Sequence, residues 1–259
     1  MKTISFSVLL LLCLPLAATA QTADEIVKKA LDARGGAEKI KAVRSERVSG
    51  RVSFPQGMEG TFMVELKRPQ KMRVEISIEG QKIIRVYDGE SSGWMVNPFA
   101  EIKEAQPLSS EDLKNISDES DFDGPLVDYN TKGNRIELIG KESLDDKPVY
   151  RVKLTNKNGD VRFYIFDAAT FLILKWEGIR KTGDLAVPWE SFFSEYREVQ
   201  GLKYAFRIEQ GSPGTDIKQT LTAEKIEIDA PIDDSRFAKP APSGASAAPP
   251  APASPPRPR

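Results

Sequence analysis

The chain changes its hydrophobic period once, early. Between Thr22 and Ala33, the apolar residues Ile26, Val27, Ala30 and Leu31 recur at helical spacing, so the pattern predicts an amphipathic helix. Thr22 and Glu25 stand three apart at its start, a capping-box arrangement, and Gly35-Gly36 ends it. A short second turn follows over Ala37 to Val43, with Ile40 and Val43 on one side. From Ser45 onward the period is two. Val48, Gly50, Val52 and Phe54 alternate with polar residues, and so do Phe62, Val64 and Leu66. Met72 to Glu79 is the clearest run: one face is wholly apolar, the other wholly polar, as in a half-buried antiparallel strand.

Further strands are predicted over Lys82–Tyr87, Gly93–Val96, Arg135–Gly140, Val149–Thr155, Asp160–Asp167, Ile173–Arg180, Ser191–Glu198, Leu202–Gln210 and Leu221–Ile228. Turn pairs separate them: Asp88-Gly89, Lys132-Gly133, Asn158-Gly159 and Gln200-Gly201. The Asn158-Gly159 pair is the strongest hairpin signal. One short helix, Ser109 to Asp118, interrupts the series, with Leu113 and Ile116 on one side, and an acidic stretch runs on to Tyr129. The expectation is a mainly β protein: a meandering antiparallel sheet of about eleven strands with few helices. A sheet that wide must curl, and so little helix leaves open whether its apolar face is filled by side chains or completed by a ligand.

The N-terminus changes the picture next. Lys2, the apolar run Val8 to Leu16 and the small residues Ala18-Thr19-Ala20 read as an export signal cleaved after Ala20. The run is too short for a good membrane span, so none is expected in the mature chain. The single cysteine, Cys13, lies inside this signal, preceded by Leu11-Leu12 rather than the small residues of a lipidation site. The chain has no histidine. The common zinc and haem ligand sets are therefore missing, and no metal or cofactor is expected. The formal charge of −1 includes no basic concentration that would suggest nucleic acid.

Residues 240–259 contain eight prolines among mostly alanine and serine, a composition expected to stay extended and disordered. The folded unit is expected over residues 21–238, as one domain. Carboxylate pairs at Asp121/Asp123, Asp145/Asp146 and Asp233/Asp234 sit in predicted turns, where Asp serves backbone hydrogen bonding, and no catalytic residue is assigned. Asn115-Ile116-Ser117 is a short glycosylation pattern without further support. Trp176, Phe192 and Phe206 are expected in the core.

Several short motifs, in order, resemble the periplasmic lipoprotein carriers of the LolA/LolB superfamily, including its lipoprotein-sorting branch. They are Lys67-Arg68-Pro69, Met72-Arg73-Val74-Glu75, Asp88-Gly89, Trp94 and Asn97-Pro98-Phe99. Gly35-Gly36, Gly140-Lys141-Glu142, Phe166-Asp167-Ala168-Ala169-Thr170 and Ile232 to Phe237 extend the likeness across the folded region. The resemblance implies an incomplete β-barrel capped by short helices, with acyl chains of a lipoprotein or phospholipid held in between. It places a hydrophobic cavity at Phe62, Val64, Leu66, Met72, Val74, Ile76, Ile78, Trp94, Val96 and Phe99. It places a lid over Ser109–Tyr129, with Leu113 and Ile116 facing in and Arg68 as its latch. Met72 stands where the carriers have an aromatic residue. An inner-membrane exporter or outer-membrane receptor would be the partner. A lipid sensor on the same fold, or a structural domain with a filled core, remains as an alternative.

Overall fold

The computed structural model describes residues 21–182 and 185–240. The proposed signal and residues 241–259 of the proline-rich tail lie outside the described residues.

Helix α1 spans Ala23–Arg34, and Thr22 and Glu25 form the reciprocal cap that the sequence predicts. Its buried face is Ala23, Ile26, Val27 and Ala30. It stops at Gly35, where φ is 122° and a Cβ would stand 2.3 Å from the Gly201 carbonyl oxygen. Only glycine satisfies both conditions. Helix α2 is the short Ala37–Ala42.

Thirteen strands follow: β1 Ser45–Ser53, β2 Glu59–Lys67, β3 Lys71–Ile78, β4 Gln81–Tyr87, β5 Gly93–Asn97, β6 Ile102–Pro107, β7 Arg135–Leu144, β8 Lys147–Thr155, β9 Val161–Asp167, β10 Ile173–Thr182, β11 Leu185–Val199, β12 Leu202–Gly211 and β13 Lys218–Ile228. Helix α3, Ser110–Glu119, is capped by Ser109 and lies between β6 and β7 in the chain. All thirteen strands form one antiparallel sheet, ordered β6-β5-β4-β3-β2-β1-β13-β12-β11-β10-β9-β8-β7. It does not close, because β6 and β7 are its two edges.

The one strand of the thirteen that the pattern did not name is β6. Its sequence, Ile-Lys-Glu-Ala-Gln-Pro, carries a weak alternation and a proline, which suits an edge strand and little else.

The sheet curls strongly. Strands β4 and β10 are seven positions apart in the sheet order, about 34 Å if the sheet were flat. Yet Arg85 of β4 and Arg180 of β10 both pair with the one carboxylate of Glu119 on α3. All three helices pack on the inner face so defined. There α1 lies on Val152, Leu154, Tyr164 and Phe166, Ile40 of α2 on Leu202, and Ile116 of α3 on Met72 and Tyr87.

The outer face departs from the simple pattern. The polar side of β3 is not solvated: Arg73 is 8% and Glu75 6% exposed. The C-terminal segment after β13 crosses there, with Ala230, Ile232 and Phe237 buried against Ile84, Val86, Val96 and Ala105. Arg236 binds Glu65 and Glu75, each at 2.8 Å, and Arg73 donates to the Arg236 carbonyl. Lys67 and Lys71 both reach Asp234.

Candidate functional site

The cross-strand register sorts the expected cavity residues by face. Val64 pairs with Val74, Leu66 with Met72, and Phe62 with Ile76, so these six share the inner face. Ile78 lies two residues beyond Ile76 on the same side. Leu113 and Ile116 of α3, with Leu108, cover Met72, Tyr87, Val64, Leu66 and Val74. The two residues expected in a lid therefore meet one end of the expected cavity wall.

Trp94 and Val96 do not belong to that group. Trp94 pairs with Val86 and Val96 with Ile84, and both of those lie opposite the buried charges Arg73 and Glu75 on the outer face. There they pack under the C-terminal segment. Asp88-Gly89 and the three residues after it turn the chain between β4 and β5, and this sets the parity of β5, which an alternation of only five residues does not announce. Phe99 is also placed elsewhere, 49% exposed on the 3-10 helix Pro98–Ala100 beyond β5.

Gly93 is a contributor that sequence reasoning passed over. A Cβ there would stand 2.6 Å from Leu108 and 3.0 Å from Leu113, so the bare backbone lets α3 settle on the sheet. A glycine at the start of a strand reads only as turn punctuation, and gives no sign of this.

Arg68, at the end of β2, joins three elements. Its Nε donates to the Val43 carbonyl at 2.6 Å and one terminal nitrogen to that of Ile40 at 3.2 Å, so it binds two carbonyls at the end of α2, of which Ile40's also accepts from the Val43 N–H. Its terminal nitrogens also bind both oxygens of Asp123, at 2.5 and 3.2 Å, and its guanidinium lies 4.8 Å from the Phe122 ring centre. Asp123 and Phe122 belong to the acidic loop after α3. The other acids are also engaged structurally: Asp121 with Lys132 at 2.7 Å, and Asp233 as the cap of the 3-10 helix Asp234–Phe237. Asp145 and Asp146 take positive φ in the β7–β8 turn.

A mostly apolar cavity of about 70 Å³ lies between α1, the acidic loop and β9–β10, lined by Ala30, Leu31, Leu126, Tyr164, Phe171 and Ile173 among others. A wider, mainly polar depression of about 340 Å³ lies near the outer-face residues Ser49, Met63, Glu75 and Lys82. Small-molecule pockets run to about 300–1,000 Å³, so the apolar one is far too small for an acyl chain as it stands. On the wall where the resemblance implies a cavity, the structure has an apolar face with α3 packed on it. Among the described residues there is no cluster of three or more acids that could hold a metal, and no helix is long and apolar enough to cross a membrane.

A curled, unclosed antiparallel sheet with helices on its inner face defines a class: the incomplete barrels under a helical cover. Within it, the fold is LolA-like. The chain resembles a LolA superfamily protein from Nitrosomonas europaea at TM-score 0.53 and 18% identity, over 85% of this chain and 99% of that one. A putative outer membrane lipoprotein-sorting protein domain from Vibrio parahaemolyticus aligns at TM-score 0.53 and 11% identity, over 83% and 95%. A DUF1329 family protein from Desulfovibrio piger aligns at 0.57 and 16%, over 83% and 97%. No protein-family model and no curated sequence matches the chain.

Proposed function

We propose that this protein is a non-catalytic periplasmic carrier that takes up acyl chains of lipoproteins or lipids on its inner face, for transfer towards the outer membrane. The observation that supports this most is how the inner face is covered. Val64, Leu66, Met72 and Val74 meet an amphipathic helix of ten residues, which is held by the burial of Ile116 and part of Leu113, about 1.5–3 kcal/mol for each fully buried side chain, and by side-chain ion pairs to both barrel walls. Exposed ion pairs are individually weak, of the order of 0–1 kcal/mol. An acyl chain offers far more: at about 0.8 kcal/mol per buried CH₂, sixteen carbons carry roughly 12 kcal/mol of gross burial. A cargo of that size can displace the lid, and the same magnitude requires an acceptor or lid movement for release. Arg68 serves as the latch between β2, α2 and the lid loop. Acyl chains occupy the space that Leu113 and Ile116 fill in the closed form.

A transfer assay tests the carrier reading. Protein loaded with a fluorescent fatty acid is mixed with unlabelled vesicles. Release at a rate that rises with vesicle concentration supports collision-based transfer. Retention of the cargo in the presence of vesicles favours a sensor on the same fold.

A further inference from the structure

One place on the inner face gathers positive charge from three strands. Arg85 of β4, Arg162 of β9 and Arg180 of β10 converge beneath the C-terminal end of α3. The register puts all three on the inner face: Arg85 is paired with Val74, Arg162 with Leu154, and Arg180 lies two residues beyond Gly178, the partner of Arg162. Two of them stack on tryptophans. The Arg162 guanidinium is 4.3 Å from the Trp176 ring centre, and that of Arg180 is 4.8 Å from Trp189. Arg162 also donates to the Tyr164 hydroxyl at 3.4 Å.

Two carboxylates face these three cations. Glu119 binds Arg85 closely and Arg180 at 3.7 Å, while Asp118 and Glu119 both act on Arg162 through their charge. Lys114 and Lys157 lie close to Asp118 as well, and Lys114 also pairs with Asp160. Positive charge is in excess. The Nε of Arg85 is buried and has no hydrogen-bond partner among the described residues. A tie that only held α3 down would need one arginine. Three, two of them pre-oriented on aromatic faces, make a fork suited to an oxyanion.

Resting on the acyl-carrier reading above, we propose that Arg85, Arg162 and Arg180 form the head-group site for an anionic amphiphile, with Glu119 as a placeholder when the site is empty. The ligand class is a phosphate- or carboxylate-headed lipid whose chain runs along Val64, Val74 and Ile76. Its head group takes the guanidinium contacts that Glu119 now makes. Binding of the head thereby frees the end of the lid that the tail must pass.

The test is titration calorimetry on the full chain with dodecyl phosphate, laurate, neutral monolauroylglycerol and inorganic phosphate. The expected result is binding of all three amphiphiles, with the anionic ones preferred about tenfold or more. The paired change Arg85→Gln and Arg180→Gln removes that preference and leaves monolauroylglycerol within about twofold. Glu119→Gln, which keeps the side chain's shape, strengthens dodecyl phosphate and laurate more than the neutral lipid, because a looser lid helps every tail while the freed guanidiniums help only an anion. This second variant decides the matter if the double arginine variant fails to fold. Equal affinities for charged and neutral lipids, or no selective response to these changes, overturns the head-group site while the carrier reading stands. Inorganic phosphate binding as tightly as dodecyl phosphate overturns the amphiphile. Failure of every lipid to bind ends both.

Discussion

Arg68 and Asp123 meet through two hydrogen bonds, at 2.5 and 3.2 Å, across 55 residues of chain, and so tie the end of β2 to the loop behind α3. Neither side chain is freely exposed, and the same arginine also closes the end of α2. Arg68→Ala should therefore cost about 1.5–3 kcal/mol, the range for hydrogen bonds to charged groups. Urea unfolding measures it. Hydrogen exchange over residues 119–129 should quicken in the same variant, and an unchanged loop would remove Arg68 as a latch.

The outer face makes a separate prediction. Glu65 is 1% exposed and shares its charge between Arg47 and Arg236. Arg236→Ala leaves Glu65 and Glu75 each short of a partner and should destabilise by about 2 kcal/mol. Lipid uptake should be unaffected, because that face lies across the sheet from the lid. A loss of uptake at unchanged stability would contradict the assignment of faces.

Acid should weaken the same network. Burial would raise the Glu75 carboxyl, but hydrogen bonds from Lys82 and Arg73 and the charges of Arg73 and Arg236 outweigh it and hold it down to about 2. A group depressed on folding contributes stability that is fully present above its unfolded value, about 4.3, and is lost as pH falls towards 2. Glu75→Gln should flatten the stability profile between those values. An unaltered slope there would mean that Glu75 does not carry it.

Met72 probes the inner face. It lies buried beneath Ile116, so a carboxylate there would be desolvated without a partner. Met72→Glu should push α3 away and abolish uptake of a fluorescent fatty acid, while the β signature in circular dichroism persists. Wild-type uptake in that variant would take Met72 out of the site.

Much of the fold was legible from alternation alone, and the reasons are local. Long runs such as Met72–Ile78 declare their faces, and the Asn158-Gly159 turn is fixed by its own chemistry: Asn156 accepts from the backbone N–H of both Asn158 and Asp160. Trp94, Val96 and the polar side of β3 were misplaced because alternation names two faces without saying what covers each. That Arg73 and Glu75 are buried follows only from Ile232 and Phe237 returning from the far end of the chain. Phe192, expected in the core, is half-buried between Lys175 and Lys218 for the same reason. The arginine cluster draws on β4, β9 and β10, which only the curl of the sheet brings together.

The most direct measurement is native mass spectrometry of the exported protein purified without detergent, before and after incubation with palmitate. If the inner face admits a hydrocarbon chain once α3 lifts, the spectrum will contain species heavier by the mass of one acyl ligand, and they will vanish in Met72→Glu. A single peak at the bare protein mass, under both conditions and over repeated preparations, would mean that the protein's own side chains complete its interior.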